Sequence, residues 1–113
     1  MRRKIVSLSK NEDFKSLLAG KKVANKYSTI FYKKLSNKDF NKLNISFVAK
    51  KKIGNAVTRN KIKRRLRNIM NEAYKKIKIK MYYSYLVIAR QSILNDPYEN
   101  IKKTFFNEFT KIK

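Results

Sequence analysis

Apolar side chains recur at helical spacing in three segments of the chain. The first predicted helix is short, from about Lys10 to Ala19, and the second is long, from about Ala56 to Lys78. The third follows Asp96 and Pro97, which suit the N-cap and the first position of a helix. The three apolar stripes are Phe14, Leu17 and Leu18; Ile62, Leu66, Ile69, Ala73 and Ile77; and Ile101, Phe105, Phe109 and Ile112.

Three other segments have the composition of β-strands. They are Tyr27 to Leu35, Leu43 to Lys50, which alternates in polarity, and Tyr82 to Arg90. We expect the first two to pair as a hairpin. The order helix, strand, strand, helix, strand, helix predicts one α+β domain over residues 1–113, a two-layer sandwich of helices on a small sheet. Residues 1–8 are interpreted as a basic N-terminal arm.

The composition adds a large excess of positive charge. Lys and Arg number 30 against 7 Asp and Glu in 113 residues, so the formal net charge is +23. Self-repulsion of this size destabilises a compact state unless counter-charge is supplied, which favours a polyanionic partner. Seven Phe and seven Tyr argue against disorder. Because the chain has neither an apolar run of membrane-spanning length nor a signal-peptide core, we expect it in the cytoplasm.

The cations are concentrated between Lys50 and Arg67. Nine of these 18 residues are basic, four arginines fall within nine positions, and no acid occurs between Asp39 and Glu72. A solvated helix face is the plain alternative, but arginine is favoured where phosphate is bound, and like charges at this spacing destabilise an isolated helix. The polar face combines Arg59, Lys63 and Arg67 at i, i+4 and i+8 with Asn60 and Arg64 in the adjacent row. We predict that this face binds a nucleic-acid backbone.

The start of the same helix is a second candidate anion contact. Gly54 and Asn55 precede it, and backbone N–H groups at a helix start attract anions. Lys50, Lys51 and Lys52 would surround the same anion.

The chain offers little for hydrolytic chemistry of its own. It has no His and no Cys, and its seven acids show no spacing that suggests a shared metal ion. The residues alone therefore predict a binding protein with no catalytic residue and no metal site.

The basic block resembles the signature of the protein subunit of bacterial ribonuclease P. That signature has Lys-Lys-x-Gly at a strand end, then Ala-Val-x-Arg-Asn-x-x-Lys-Arg-x-x-Arg. Here it reads Lys51-Lys52-Ile53-Gly54, then Ala56-Val57-Thr58-Arg59-Asn60, Lys63-Arg64 and Arg67. Asn11-Glu12-Asp13-Phe14 and Val87-Ile88-Ala89-Arg90 also match. Ser46 and Lys50 depart from the Gly and Ser that are common in the family, and Leu18 stands where an aromatic residue is frequent.

The resemblance implies both a fold and a function. The fold would be an α–β sandwich with a left-handed βαβ crossover, an exception to the usual right-handed rule. The protein would assist a catalytic RNA in endonucleolytic removal of the 5′ leader from precursor tRNA. It would be an enzyme component whose catalysis lies in the RNA. No cofactor is expected on the protein alone, Mg²⁺ is expected at the RNA active site, and neither an obligate protein partner nor a membrane is expected.

The resemblance also implies which residues contact RNA. The signature helix would contact the catalytic RNA through Arg59, Asn60, Lys63, Arg64 and Arg67, with Lys51, Lys52 and Gly54 at the strand end and helix start. The leader would lie in a cleft between the first helix and the sheet, at Phe14, Ile30 and Tyr32. Core packing is the open alternative for Phe14. Tyr82, Tyr83 and Tyr85 would form either a second aromatic platform or, as we favour, core and edge packing.

Two other functions are compatible with the residues alone. A structural RNA-binding protein of the ribosomal type has similar size and charge. A duplex-DNA binder could place the arginine-rich helix in the major groove, although so many cations favour backbone contacts over base readout.

Overall fold

The computed structural model describes residues 5–7, 11–35 and 42–112, which form three α-helices and one five-stranded sheet. None of the helices in these ranges is long and apolar enough to cross a membrane. In chain order the elements are β1 (Ile5–Val6), α1 (Asn11–Leu18), β2 (Lys21–Ala24), β3 (Ser28–Lys33), β4 (Leu43–Val48), α2 (Ala56–Lys76), β5 (Ser84–Ala89) and α3 (Tyr98–Lys111). Short 3₁₀ turns at Lys51–Ile53 and Gln91–Leu94 follow β4 and β5.

The predicted α+β fold is confirmed, and so is the order of the six predicted elements, but the helices do not form a single layer because α1 lies on the opposite face of the sheet from α2 and α3. The strands lie in the order β1-β4-β5-β3-β2. β4 and β5 are parallel neighbours joined through α2, which is a βαβ crossover. Its left-handed sense stays a prediction from the family resemblance.

The predicted hairpin between β3 and β4 is wrong. β5 lies between them, antiparallel to β3 and parallel to β4, with Val87 opposite both Ile30 and Phe47. The reason is burial: Leu86 and Val87 point to opposite faces of β5, and both are buried. A strand that is apolar on both faces belongs in the middle of a sheet.

Two edge strands were not predicted. β2 is only four residues long and begins with two lysines, so it shows no strand pattern, but it pairs with β3 and places Lys21 opposite Tyr32. β1 pairs with β4, with Ile5 opposite Leu43, in the segment interpreted as a basic arm. The remainder of that arm, residues 1–4 and 8, lies outside the described residues.

The main core lies between one face of the sheet and the helices α2 and α3. The predicted stripe of α2 is buried from Ile62 to Ala73, and all four stripe residues of α3 are buried. The Tyr85 and Phe109 rings meet edge to face with centroids 5.1 Å apart. The short α1 covers part of the other face, where Leu17 packs on Leu86. Helices therefore lie on both faces, and the second face is only partly covered.

The start of α3 differs from the prediction. The N-cap is Pro97, and the Asp96 side chain does not cap the helix. Its carboxylate instead accepts hydrogen bonds from the Tyr27 hydroxyl and from Lys26, whose Nζ lies 2.9 Å away. A charged donor and a hydroxyl outcompete backbone N–H groups here, so Asp96 ties the start of α3 to the β2–β3 turn.

Candidate nucleic-acid interface

A tight connection from β4 positions the start of α2. The buried Ile53 anchors the 3₁₀ turn, while Lys51 and Lys52 are exposed beside it. Gly54 follows, and a Cβ atom there would lie 3.1 Å from the side-chain carbons of Thr58. A glycine at this position therefore lets the chain pass close to the first turn of α2.

The helix start is capped and open to solvent. The Asn55 Oδ1 accepts a hydrogen bond from the Thr58 N–H at 2.9 Å. Ala56 and Val57 precede Thr58 in the first turn and are exposed. Because the first N–H groups of a helix have no partner within the helix, this end presents partial positive charge beside Lys51 and Lys52.

The predicted exposure of the cationic face of α2 is partly confirmed, whereas its contact with RNA stays a prediction. Asn60, Arg64 and Arg67 are exposed, and Lys63 is half-buried. Arg59 does not point away from the core as predicted, because it precedes Ile62 by three residues and so shares its side of the helix. Arg59 is half-buried, and its Nε is buried without a hydrogen-bond partner in the described part of the chain. We call Arg59, Asn60, Lys63, Arg64 and Arg67, together with Lys51, Lys52 and Gly54, the α2 cation face.

Acidic side chains engage cations away from this face. Lys26 pairs with Asp96, while Lys102 pairs with Glu72 at 3.6 Å and with Glu99 at 3.5 Å. None of these three pairs uses a cation of the α2 cation face. Within the described ranges, no group of three or more acidic side chains could hold a metal ion.

The three residues predicted to line the leader cleft do not lie together. Ile30 is fully buried in the main core, on the α2 and α3 side of the sheet. Tyr32 is on the same side, with its ring centroid 5.0 Å from that of Tyr83. Phe14 packs with Leu17 and Leu86 on the opposite side. A cleft built from all three is therefore wrong.

Phe31 is the residue that shares the side of Phe14. It is half-buried in the same cluster as Phe14, Val48 and Ile88. Leu18, one helical turn after Phe14, is 51% exposed. Strand alternation is the signal that could have found Phe31, since it must point opposite to Ile30 and Tyr32. We call Phe14, Leu18, Phe31, Val48 and Ile88 the α1-side face.

Cations border the α1-side face. Lys22 lies opposite Phe31 in the β2–β3 ladder and therefore points to the same side of the sheet. Lys33, two residues after Phe31, points there as well, and both lysines are exposed. Arg90 is exposed and donates a hydrogen bond to the Thr29 hydroxyl at 3.3 Å. Aromatic and aliphatic side chains bordered by cations are suited to single-stranded nucleic acid.

The tyrosines before and in β5 have different environments. Tyr85 is fully buried, and its hydroxyl donates to the Lys80 carbonyl at 2.8 Å. Burial raises the pKa of its hydroxyl well above the usual range. Tyr83 is half-buried, and Tyr82 is 39% exposed. Core packing is thus confirmed for Tyr85, whereas Tyr82 lies at the surface.

Comparison with known proteins decides which family has this arrangement. The family model described as Ribonuclease P matches residues 2–113. The chain belongs to the ribonuclease P protein family. A ribonuclease P protein is the protein component of a ribonucleoprotein endoribonuclease that acts in tRNA processing, and it functions with an RNA subunit.

Similar ribonuclease P proteins confirm the family along most of the chain. The component from Carboxydothermus hydrogenoformans is 37% identical over 98 residues, covering 83% of this chain and 79% of its own length. That from Bacillus pumilus is 37% identical over 105 residues, covering 92% and 85%. This membership favours the ribonuclease P function over the ribosomal-type and DNA-binding alternatives.

Solved structures of ribonuclease P proteins share the fold. The protein from Thermotoga maritima matches with a TM-score of 0.79 and 25% identity, covering 96% of this chain and 98% of its own. The Staphylococcus aureus protein matches with a TM-score of 0.73 and 32% identity, covering 93% and 92%. The likeness therefore covers nearly the whole chain.

Proposed function

We propose that this chain binds two RNA segments within ribonuclease P: the catalytic RNA on the α2 cation face and the 5′ leader of precursor tRNA on the α1-side face. The observation that supports this most strongly is the separation of the two surfaces. α2 packs on one side of the sheet, whereas α1, Phe31 and Ile88 lie on the other. Two RNA segments can then be held at once by one small domain.

Charge and hydrogen bonding support the contact with the catalytic RNA. Arg64 and Arg67 are exposed, and no described ion pair includes them. Arg59 is half-buried and adds its positive charge one helical turn before Lys63. The capped start of α2 adds partial positive charge at the same end.

Side-chain chemistry supports the leader contact. Phe14 and Phe31 offer rings, Leu18 and Val48 offer aliphatic surface, and Lys22 and Lys33 offer charge. Bases stack on aromatic faces without sequence preference while cations hold phosphates. Such a surface suits leaders of varied sequence. Metal-assisted cleavage of a phosphodiester needs ligands that converge on the ion. The described residues contain no such group, so the Mg²⁺ ions that support cleavage are assigned to the RNA.

Reconstitution with a bacterial ribonuclease P RNA at low Mg²⁺ tests the proposal. The chain should increase cleavage of precursor tRNA over that by the RNA alone, and the chain without RNA should not cleave. No gain over RNA alone, or cleavage by the chain alone, would contradict the proposal.

A matched pair of variants tests the leader surface. Phe31→Ala should weaken binding of leader-bearing precursor tRNA by the holoenzyme while leaving mature tRNA binding unchanged. Phe106→Ala, at another half-buried phenylalanine on the α3 side, is the control and should affect neither. Equal effects of Phe31→Ala on precursor and mature tRNA would rule out a leader contact there.

A further inference from the structure

Four tyrosines form one packed cluster where β3 ends and β5 begins. The Tyr32 and Tyr83 rings meet edge to face at 5.0 Å, and the Tyr82 and Tyr83 centroids are 4.6 Å apart. Tyr85 lies beneath them, 6.2 Å from Tyr83, and is fully buried. Tyr82 is thus a partly exposed ring that packs against Tyr83 above the buried Tyr85.

Lysines surround this cluster. The Lys34 Nζ lies 5.0 Å from the centroid of the Tyr82 ring, within the range of a cation–π contact. An open groove of about 640 Å³ runs beside the cluster, between Tyr32 and Tyr83 and the lysines Lys21, Lys33 and Lys34. Among the described residues, no acidic side chain lines the groove. An aromatic platform with cations and no acids matches the chemistry of an unpaired, phosphate-bearing strand.

The groove lies at the opposite end of the sheet from the start of α2. Ser84 is opposite Asn44 at the beginning of β4, whereas Lys51 and Lys52 follow the end of β4. The four residue steps from Ser84 to Ile88 alone span about 13 Å. The groove is therefore separate from the cations that surround the start of α2.

The groove is instead continuous with the end of α1. Ala19 and Gly20, which follow α1 directly, form part of its lining. A Cβ atom on Gly20 would lie 2.9 Å from the Tyr32 carbonyl oxygen, so the end of α1 lies against the β3 backbone beside the groove. An RNA strand that runs along α1 beyond Leu18 would next reach this groove.

We infer that the groove beside Tyr82 binds the distal nucleotides of long 5′ leaders, those beyond the stretch held on the α1-side face. The inference rests on the proposed function, because it requires the leader to lie along α1. Tyr82 borders the groove through its contacts with the lining residues Tyr83 and Lys34. A base would stack on Tyr82 in place of the Lys34 ammonium, and the leader phosphates would meet Lys21, Lys33 and Lys34. The platform extends leader binding from one face of the sheet to the sheet end.

Leader length provides the test. Holoenzyme affinity is measured for precursor tRNAs with leaders of about 4 and about 16 nucleotides, which span the site sizes of single-strand binding folds. Tyr82→Ala should weaken binding of the long-leader substrate about tenfold, equal to about 1.4 kcal/mol, and leave the short-leader substrate unchanged. Lys34→Ala should act in the same direction, and Tyr82→Phe should retain the wild-type affinity because the ring remains.

The outcomes separate this inference from the proposed function. If Tyr82→Ala weakens binding at both leader lengths, Tyr82 contacts another part of the complex. If it weakens binding at neither length, the tyrosine cluster binds no leader. Either result overturns the inference. Phe31→Ala should weaken binding at both lengths if the α1-side face holds the leader. Lys103→Ala, at an exposed lysine of α3, is the charge control. Thermal midpoints show that each variant is folded.

Discussion

Arg64 and Arg67 can be truncated without repacking the core, because both are exposed on α2. We expect Arg64→Ala and Arg67→Ala each to weaken binding of the catalytic RNA and to reduce the slope of log affinity against log salt by about 1, since each removes one phosphate contact. Filter binding at several NaCl concentrations measures both effects, and circular dichroism reports the helix.

Arg65→Ala is the matched control for these two variants. Arg65 is exposed on the same helix but borders a cavity of about 220 Å³ between α2 and α3, on the other flank. It should leave the salt slope unchanged. Loss of helix in Arg64→Ala or Arg67→Ala would instead show that these arginines are structural.

The contacts of Asp96 make stability depend on pH at the acid end. Hydrogen bonds from Tyr27 and then from Lys26 hold the pKa of Asp96 below its usual value. A depressed carboxyl pKa stabilises the fold above the unfolded value, near 4, and this contribution is lost as the pH falls through the folded pKa. The same hydrogen bond raises the pKa of Tyr27.

Asp96→Asn tests this dependence. The variant should be less stable than wild type at neutral pH, and the difference should vanish as the pH falls below the folded pKa of Asp96. Urea unfolding from pH 7 to pH 2 measures it, with Glu12→Gln at an exposed carboxylate as the control. A difference that stays constant with pH would show that the ionised Asp96 contributes nothing.

The leader-cleft residues show how far single residues could be predicted. Strand alternation indicates which residues of β3 share a side, but a shift of one position moves the whole set to the other face. The predicted residues Ile30 and Tyr32 point to the α2 and α3 side of the sheet, whereas Phe31, between them, lies on the α1 side. The faces of the signature residues were more predictable, because helical spacing determines which residues of α2 share a side. The exception is Arg59, whose spacing of three residues from Ile62 indicates a position near the core.

At the scale of elements, the Asn55 cap stabilises the start of α2, and two substitutions separate this stabilisation from RNA binding. Asn55→Ala removes the hydrogen bond to the Thr58 N–H and should lower the free energy of unfolding by about 1 kcal/mol. Asn55→Asp keeps a good cap and should retain stability. It should nevertheless weaken RNA binding, because it adds a negative charge beside Lys51 and Lys52. Chemical unfolding and RNA titration of the three proteins would show whether the two effects separate; equal RNA affinity in Asn55→Asp would place the RNA away from the helix start.

Helices were easier to predict than the arrangement of the strands. Each stripe specifies a helix locally, and the stripes of α2 and α3 are buried as expected. Strand order depends on contacts between residues that are distant in sequence. β5 lies between β3 and β4 because it is apolar on both faces. β2 was not predicted because its lysines are exposed at the edge of the sheet. Charged side chains are common on edge strands, so such a strand lacks the apolar alternation by which strands are predicted.

At the scale of the whole molecule, the net charge of +23 opposes folding and favours RNA binding. The seven acids are already counted in this figure, and two of them, Glu72 and Glu99, pair with the same lysine, Lys102. Exposed cations repel one another over the Debye length, which shrinks from about 30 Å at 0.01 M salt to about 8 Å at 0.15 M. Salt therefore reduces the repulsion within the free protein and, by the same screening, its attraction for RNA.

The thermal midpoint of the free chain should consequently rise with NaCl over this range, while its affinity for RNA falls. Differential scanning fluorimetry and RNA titration in the same buffers measure the two trends. Sulfate at equal ionic strength separates general screening from anion binding. A further rise at millimolar sulfate would indicate a preformed anion site, because a ligand that binds only the folded state stabilises it. A midpoint that is flat or falls with NaCl would show that self-repulsion does not limit the stability of this domain.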